Sequence, residues 1–426
     1  MDARPIPTTL GEGVLAPRTT AFPTVPDPVW TWRFERRPST EGSLADLRFA
    51  VKDLIAVRGC PVGRGNPHWA SWQEPSRHDA PCVQALLQAG ACCLGTTWLD
   101  EFAFGLSGEN PWAGAPPNPR APGRVTGGSS SGSAAAVALG AVEVALGTDT
   151  AGSLRVPASW CGLWGLRPSH GALSLRGVAP LAPSLDVVGP LADSLATLQR
   201  VLAVLLTGAS GSQPPPSAPA AIAPQRLLWI PELWQLADAP VQTALMAQAT
   251  GLGRALACPL EPLPLAALGL DGPDDLLGIL QPIQWAEAEC SLAALPAELP
   301  IGPVLRHNRE LVAGRDRTQL AGALTRREQL RARLDHQLRP GGHHGGALLL
   351  LPVTPCPAPP KGTLGVDRRL DGVLRRLLIL GALAGLAGLP QLSRPGALVH
   401  DLPVGLGLIA SRGCDAALLA LASLAP

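Results

Sequence analysis

Apolar residues run through "LRFAVKDLIAVRG" (47–59) around a single lysine and stop at a glycine. That is the pattern of a buried strand. In "APCVQALLQAGACCLGTTW" (80–98) the spacing becomes that of an amphipathic helix followed by a short strand. "GENPWAGAPPNPRAPGR" (108–124) reads as an ordered Pro/Gly loop. Two Gly/Ser clusters, "TGGSSSGS" (126–133) and "TDTAGS" (148–153), follow with an Ala/Val helix between them. Short strands and turns alternate over 161–194, and "SLATLQRVLAVLL" is a helix. After the Pro/Ala/Ser-rich stretch 208–225, "LLWI" begins as a strand, and Leu/Ala/Arg-rich helices occupy much of 238–340. "ALLLLPVTPCPAPP" (347–360) is a buried strand running into a Pro-rich loop, and the C-terminus is expected to be helix, strand and helix. Residues 1–45 show little periodicity and are expected to wrap the surface with short helical pieces. No period of 20–50 residues recurs, so this is not a repeat protein. The mixed order of elements predicts an α/β domain, with 208–225 as a surface loop inside it.

Composition removes several classes of function. A net charge of +1 with 16% charged residues gives no footprint for nucleic acid or an anionic membrane. The most apolar stretch, "LLILGALAGLAGL" (377–389), is too short and too broken by glycine to span a bilayer, and reads as a buried helix. No basic segment followed by an apolar run opens the chain, so no signal peptide is expected. The nine cysteines are scattered, odd in number and free of CxxC spacing, which points to a reducing, cytoplasmic setting. Neither a metal nor a cofactor is expected, "GGHHGG" (341–346) lacking a third ligand. Among 34 Lys and Arg residues only Lys52 and Lys361 are lysine, and tyrosine is absent. In a chain that uses arginine for its cations, a lysine inside an apolar strand marks a place where a removable proton matters.

The serines admit three readings. "GGSSSGS" alone resembles a flexible linker. Gly128-Ser129-Ser130-Ser131-Gly132 also satisfies G-x-S-x-G, but that nucleophile elbow needs a strand before it and Asp and His partners, and "NPRAPGR" is a poor strand. The third reading joins both clusters to Lys52. A serine attacks an amide only when a base takes its proton and donors receive the oxyanion, and a desolvated lysine can be that base. "GTDTAGS" places Ser153 after a turn whose N–H groups can converge, and a serine after Gly127-Gly128 can carry the proton to Lys52. The first cluster is then a positioning loop.

Lys52 in "FAVKD", "GGSSSGSAAA" and "GTDTAGSLRVPAS" resemble the amidase signature family of Ser-cisSer-Lys hydrolases. The resemblance extends over nearly the whole chain, through "LDEFAFGLSGENPWAGAPPNP", "LPVTPCPAPP" and "AGLPQLS". It implies one domain over 1–426, with a mixed central β-sheet flanked by helices on both faces and a catalytic core at about 45–200. It implies Ser153 as nucleophile, Ser129 as the bridging cis-serine and Lys52 as general base and later acid. The oxyanion hole would be the N–H groups of Thr150, Ala151, Gly152 and Ser153. Asp149 and Arg155 would support the turn, with Phe104 and Leu106 as pocket walls and His170 as a capping or core residue. Ser131 and Ala151 stand where many members have glycine. "GNPHW", "SGEN" and "RPSHGA" are most similar to the plant-type indole-3-acetamide amidohydrolase branch. The expected reaction is hydrolysis of a primary amide to carboxylate and ammonia. The expected partners are a small-molecule amide and at most a second copy of the chain, with neither nucleic acid nor membrane. Ser130→Ala is expected to leave most activity. Two rivals remain: the glutaminase component of a tRNA-dependent amidotransferase, and a non-catalytic amidase-like binding protein.

Overall fold

The buried apolar runs become the middle of one eleven-stranded sheet in the computed structural model, which describes residues 27–38, 41–208, 224–339, 346–364 and 372–423. In chain order the strands are β1 (Trp30–Arg36), β2 (Arg48–Lys52), β3 (Cys92–Thr97), β4 (Val144–Asp149), β5 (Trp164–Arg167) and β6 (Val187–Ala192). They continue as β7 (Pro224–Trp229), β8 (Leu260–Pro262), β9 (Gly346–Pro352), β10 (Gln391–Val399) and β11 (Leu402–Ile409). Across the sheet their order is β1-β3-β2-β4-β6-β5-β10-β11-β9-β7-β8. β2 is parallel to β3 and β4, β7 is parallel to β8 and β9, and the other pairings are antiparallel. The sheet is mixed, as expected. Elements on both sides of 208–225 belong to it, although residues 209–223 lie outside the described residues.

Alternation along the central strands builds two cores. Phe49, Val51, Val144 and Leu146 face one cluster, to which the helices Pro81–Gln88 and Leu195–Gly208 contribute. Ala50 and Ala145 face another, filled by Ala134–Val137 of the helix Ser131–Ala138. Helices therefore cover both faces, and the strands between them are apolar on both sides. Residues 377–387 of the apolar stretch form the buried end of the helix Gly372–Ala387. Among the described residues no helix is long and apolar enough to cross a membrane.

Two local expectations are corrected. "WTWRFER" is strand β1, not a helical piece: its aromatic and polar residues alternate and it pairs with β3. The C-terminal strand is a hairpin of β10 and β11, turned at His400 and Asp401, whose φ angles are 51° and 63°. Two positive φ values at a two-residue loop match the twist that a hairpin needs. The predicted strand 47–59 stops at Lys52. This ending matters, because Lys52, Thr97 and Asp149 then close three parallel strands side by side. The carboxyl edge of such strands is where open α/β sheets hold their ligands.

Candidate active site

Lys52 has no solvent exposure. Its Nζ donates to Ser129 Oγ at 2.8 Å, Thr148 Oγ1 at 2.8 Å and Ser130 Oγ at 3.1 Å. Desolvation lowers its pKa to about 7, against the pull of the Asp100, Asp149 and Asp186 carboxylates. The "TGGSSSGS" segment is buried from Thr126 through Ser133, which excludes a solvated linker. Ser129 follows a cis peptide at Gly128–Ser129. Between the two clusters lie the helix Ser131–Ala138 and also β4, so a helix and a strand together set their separation. Ser130 is more involved than the sequence suggests. Its hydroxyl donates to the Thr148 carbonyl at 3.2 Å and accepts from Lys52. Losing these buried hydrogen bonds in Ser130→Ala is expected to lower kcat/KM by about 5–10-fold, read as ammonia release.

Ser153 sits in the turn after β4 and is 5% exposed, its hydroxyl without a hydrogen-bond partner among the described residues. The two serine turns touch through their backbones, Ser130 N–H donating to Ser153 C=O at 3.2 Å. Asp149 organises the turn. It accepts from Gly152 N–H at 2.9 Å, Leu154 N–H at 3.1 Å, and Arg155 Nε and Nη2 at 2.9 and 2.7 Å. Arg167 Nη1 adds a bond to its carboxylate at 3.0 Å and one to its carbonyl at 2.7 Å. Burial opposes the charge on Asp149, but the two guanidinium groups and these N–H donors prevail and hold it far below the usual carboxylate range. Because Gly152 N–H is spent on Asp149, the open donors of the turn are the N–H groups of Thr150, Ala151 and Ser153. Arg155 anchors the turn a second way, through Nη1 to Gln391 Oε1 at 2.6 Å.

The other face of the turn rests on the helix Gly372–Ala387. A methyl group built on Gly381 would fall 2.0 Å from the Ala151 carbonyl oxygen, and one on Gly385 3.0 Å from that of Thr150. Only glycine lets the helix backbone come this close. Thr150 Oγ1 donates to Asp186 at 2.6 Å, and burial raises the pKa of that carboxyl.

Leu106 borders the turn: its side chain lies 3.8 Å from where a Gly152 methyl would be, and its carbonyl accepts from Gly128 N–H at 2.9 Å. Phe104 instead packs in a cluster with Phe102, Leu181 and Trp285. His170 is a bracket, its ring Nε2 on the Pro183 carbonyl at 2.9 Å and its backbone N–H on that of Gly388. His343 and His344 lie outside the described residues. Among the described residues no three His, Cys, Asp or Glu side chains gather as metal ligands. The sequence alone does not single out Thr148, Arg167, Asp186, Gln391 or Asp100. Thr148, Asp100, Arg167 and Gln391 lie in the "TDTAGS", "LDEFAF", "RPSHGA" and "AGLPQLS" segments, which carry the resemblance without marking these residues within them.

Fold and site together define an α/β protein with a buried lysine set among serines at the end of parallel strands. The family model for Amidase matches residues 33–227. Amidase 1 of Oryza sativa subsp. japonica is 35% identical over 404 residues, 90% of each chain. The A component of the glutamyl-tRNA(Gln) amidotransferase of Thermus thermophilus is 35% identical over 403 residues, 88% of this chain and 83% of that one. A solved structure described as an amidase superposes with a TM-score of 0.74 at 32% identity, covering 90% of this chain and 84% of that one. The chain belongs to the amidase signature family. It is an amidase-type hydrolase, acting on amide carbon–nitrogen bonds.

Proposed function

We propose that this enzyme hydrolyses a primary carboxamide, an arylacetamide such as indole-3-acetamide, to the carboxylate and ammonia through an acyl-enzyme on Ser153. The observation that carries the reading is the buried Lys52 amine within hydrogen-bond reach of Ser129. Ser130 donates its own proton to a carbonyl and so can only accept from Lys52. A neutral amine has two N–H bonds and one lone pair. With the N–H bonds on Ser130 and Thr148, the lone pair is left for the Ser129 hydroxyl. Ser129 passes its proton to Lys52 and takes one from Ser153, whose oxygen attacks the amide carbon. The oxyanion forms against the open N–H groups of the turn, where fixed dipoles stabilise it without reorganisation. The proton held on Lys52 returns through Ser129 to the departing nitrogen, which leaves as ammonia. Water then repeats the relay and frees the acid.

The base must be neutral to act, so kcat/KM is expected to fall as pH drops through about 7, the value to which desolvation lowers Lys52. A panel of indole-3-acetamide, phenylacetamide, short aliphatic amides and glutamine, assayed for ammonia, tests the substrate. Similarity to the rice amidase supports amide hydrolysis, and the "GNPHW", "SGEN" and "RPSHGA" segments favour the arylacetamide arm. Similarity to the Thermus amidotransferase component over most of its length supports a second reading, a glutaminase that works with partner chains. Selective ammonia release from glutamine would decide for the latter. The nine cysteines, none in a disulfide, support a reducing compartment such as the cytoplasm.

A further inference from the structure

β4 and β6 run antiparallel, and the ladder between them ends at the pair Asp149 and Val187. One step past that end Thr150 and Asp186, both buried, meet through their side chains, Thr150 Oγ1 donating to Asp186 Oδ1 at 2.6 Å. The two oxygens of the carboxylate have separate tasks. Oδ2 accepts from the N–H groups of Leu181 and Ala182, each at 2.9 Å, and closes the loop 181–186. Oδ1 serves Thr150. The loop is itself tied down on several sides. Ser184 N–H donates to Glu287 Oε2 at 2.8 Å, and the Ser184 hydroxyl and carbonyl accept from Arg327 at 2.7 and 2.5 Å. The Leu185 carbonyl accepts from Arg167 Nη2 at 2.7 Å. Asp186 is therefore a fixed point beside the residue at which β4 leaves the sheet for the Ser153 turn.

We infer that Asp186 is a positioning residue for this reaction: by holding the Thr150 hydroxyl it fixes the direction in which the Thr150 N–H meets the oxyanion. This rests on the reading of Ser153 as the nucleophile. Three heavy-atom branches leave the Thr150 Cα: the side chain, the carbonyl and the amide nitrogen. The side chain is pinned at its hydroxyl by Asp186. The carbonyl packs on the closing helix, where a methyl on Gly385 would fall 3.0 Å from its oxygen, and Arg167 Nη1 reaches it at 3.5 Å. With two branches held, tetrahedral geometry at the Cα leaves the third little freedom. The hydrogen of the Thr150 hydroxyl goes to Asp186, so the residue serves the oxyanion through its N–H. Two carboxylates thus divide the turn. Asp149 takes Gly152 N–H and Leu154 N–H on its far side, and Asp186 sets Thr150 on its near side. A donor fixed before the reaction stabilises the oxyanion without reorganising, and one that swings does not.

The test compares kcat and KM for phenylacetamide, and the rate of fluorophosphonate labelling of Ser153, in the full chain. The variants are Thr150→Val, Thr150→Ala and Thr150→Ser, together with Thr150→Val in an Asp186→Ala background. Valine keeps the shape of threonine without the hydroxyl; alanine leaves space beside the carboxylate, in case valine does not fold. Both are expected to lower kcat and the labelling rate by about 10–100-fold with KM within about twofold of wild type. Serine, which keeps the hydroxyl, is expected to recover most of that loss. The valine effect is expected to vanish once Asp186→Ala has removed the anchor. A purely structural role would lower the melting temperature and leave kcat and the labelling rate in place, and that outcome overturns the inference. An equal valine effect with and without Asp186 also overturns it, because the hydroxyl would then work without the carboxylate. If Asp186→Ala does not fold, the comparison of serine with alanine at residue 150 decides, and no recovery by serine counts against the inference. A fluorophosphonate adduct on another serine of the wild type would instead remove the Ser153 reading itself, whatever the Thr150 variants do. The two failures are therefore distinguishable.

Discussion

Lys52→Arg is expected to hydrolyse amides no faster than Lys52→Ala, with both reduced on the order of 10⁴-fold or more. Arginine supplies all but two of the 34 Lys and Arg side chains, which makes the contrast informative. A guanidinium keeps its proton throughout the working range and has no lone pair to offer a hydroxyl. The three hydroxyl oxygens around Nζ would satisfy a permanent cation well enough, so loss of activity would reflect proton chemistry more than a broken hydrogen-bond set. Arginine is also bulkier than lysine, at a position with no solvent exposure. Lys52→Met separates the effects, because it keeps the length of the chain and lacks the amine. All three variants should be compared for ammonia release and for thermal unfolding. Near-normal turnover by the arginine variant in a folded protein would remove Lys52 from the mechanism.

Ser153→Ala is the second large effect. Loss of the nucleophile is expected to reduce turnover on the order of 10⁴–10⁶-fold, and to abolish labelling by a fluorophosphonate probe. The open N–H groups remain in place in this variant, so a small residual rate from oxyanion stabilisation alone is consistent with the assignment. Peptide mapping of the labelled wild type should find the adduct on Ser153. Labelling on Ser130, or a Ser130→Ala variant that cannot be labelled while Ser153→Ala can, would restore the G-x-S-x-G reading of the first cluster.

Much of this arrangement is legible in the order of residues. Lys52 stands out because arginine fills nearly every other cationic position, and the apolar run around it predicts both its burial and its strand. The second Gly/Ser cluster marks the Ser153 turn because an ordered turn there needs small residues. What the sequence hides comes from distant parts of the chain. Gln391 reaches Arg155 across 236 residues, and Arg167 on β5 reaches Asp149 on β4 past the intervening strand β6. Nothing local in either stretch announces the meeting. The role of Ser130 is hidden for a different reason: "GSSSG" gives no clue which hydroxyl turns toward the lysine, and the backbone path of the turn decides it. Strand β1 is hard to read because seven residues of alternation are a short signal beside so many prolines. The hairpin at His400–Asp401 lacks the Asn-Gly or Asp-Gly pair that usually marks such a turn.

The stretch matched by the Amidase family model ends at residue 227, yet the floor beneath the Ser153 loop is laid by Gly381 and Gly385. A half-length fragment carrying Lys52, Ser129 and Ser153 would thus hold the proposed reactive groups and lack the helix surface against which the Ala151 and Thr150 carbonyls pack. Anyone grafting this chemistry onto a smaller scaffold must carry over the closing helix, or rebuild its bare glycine face.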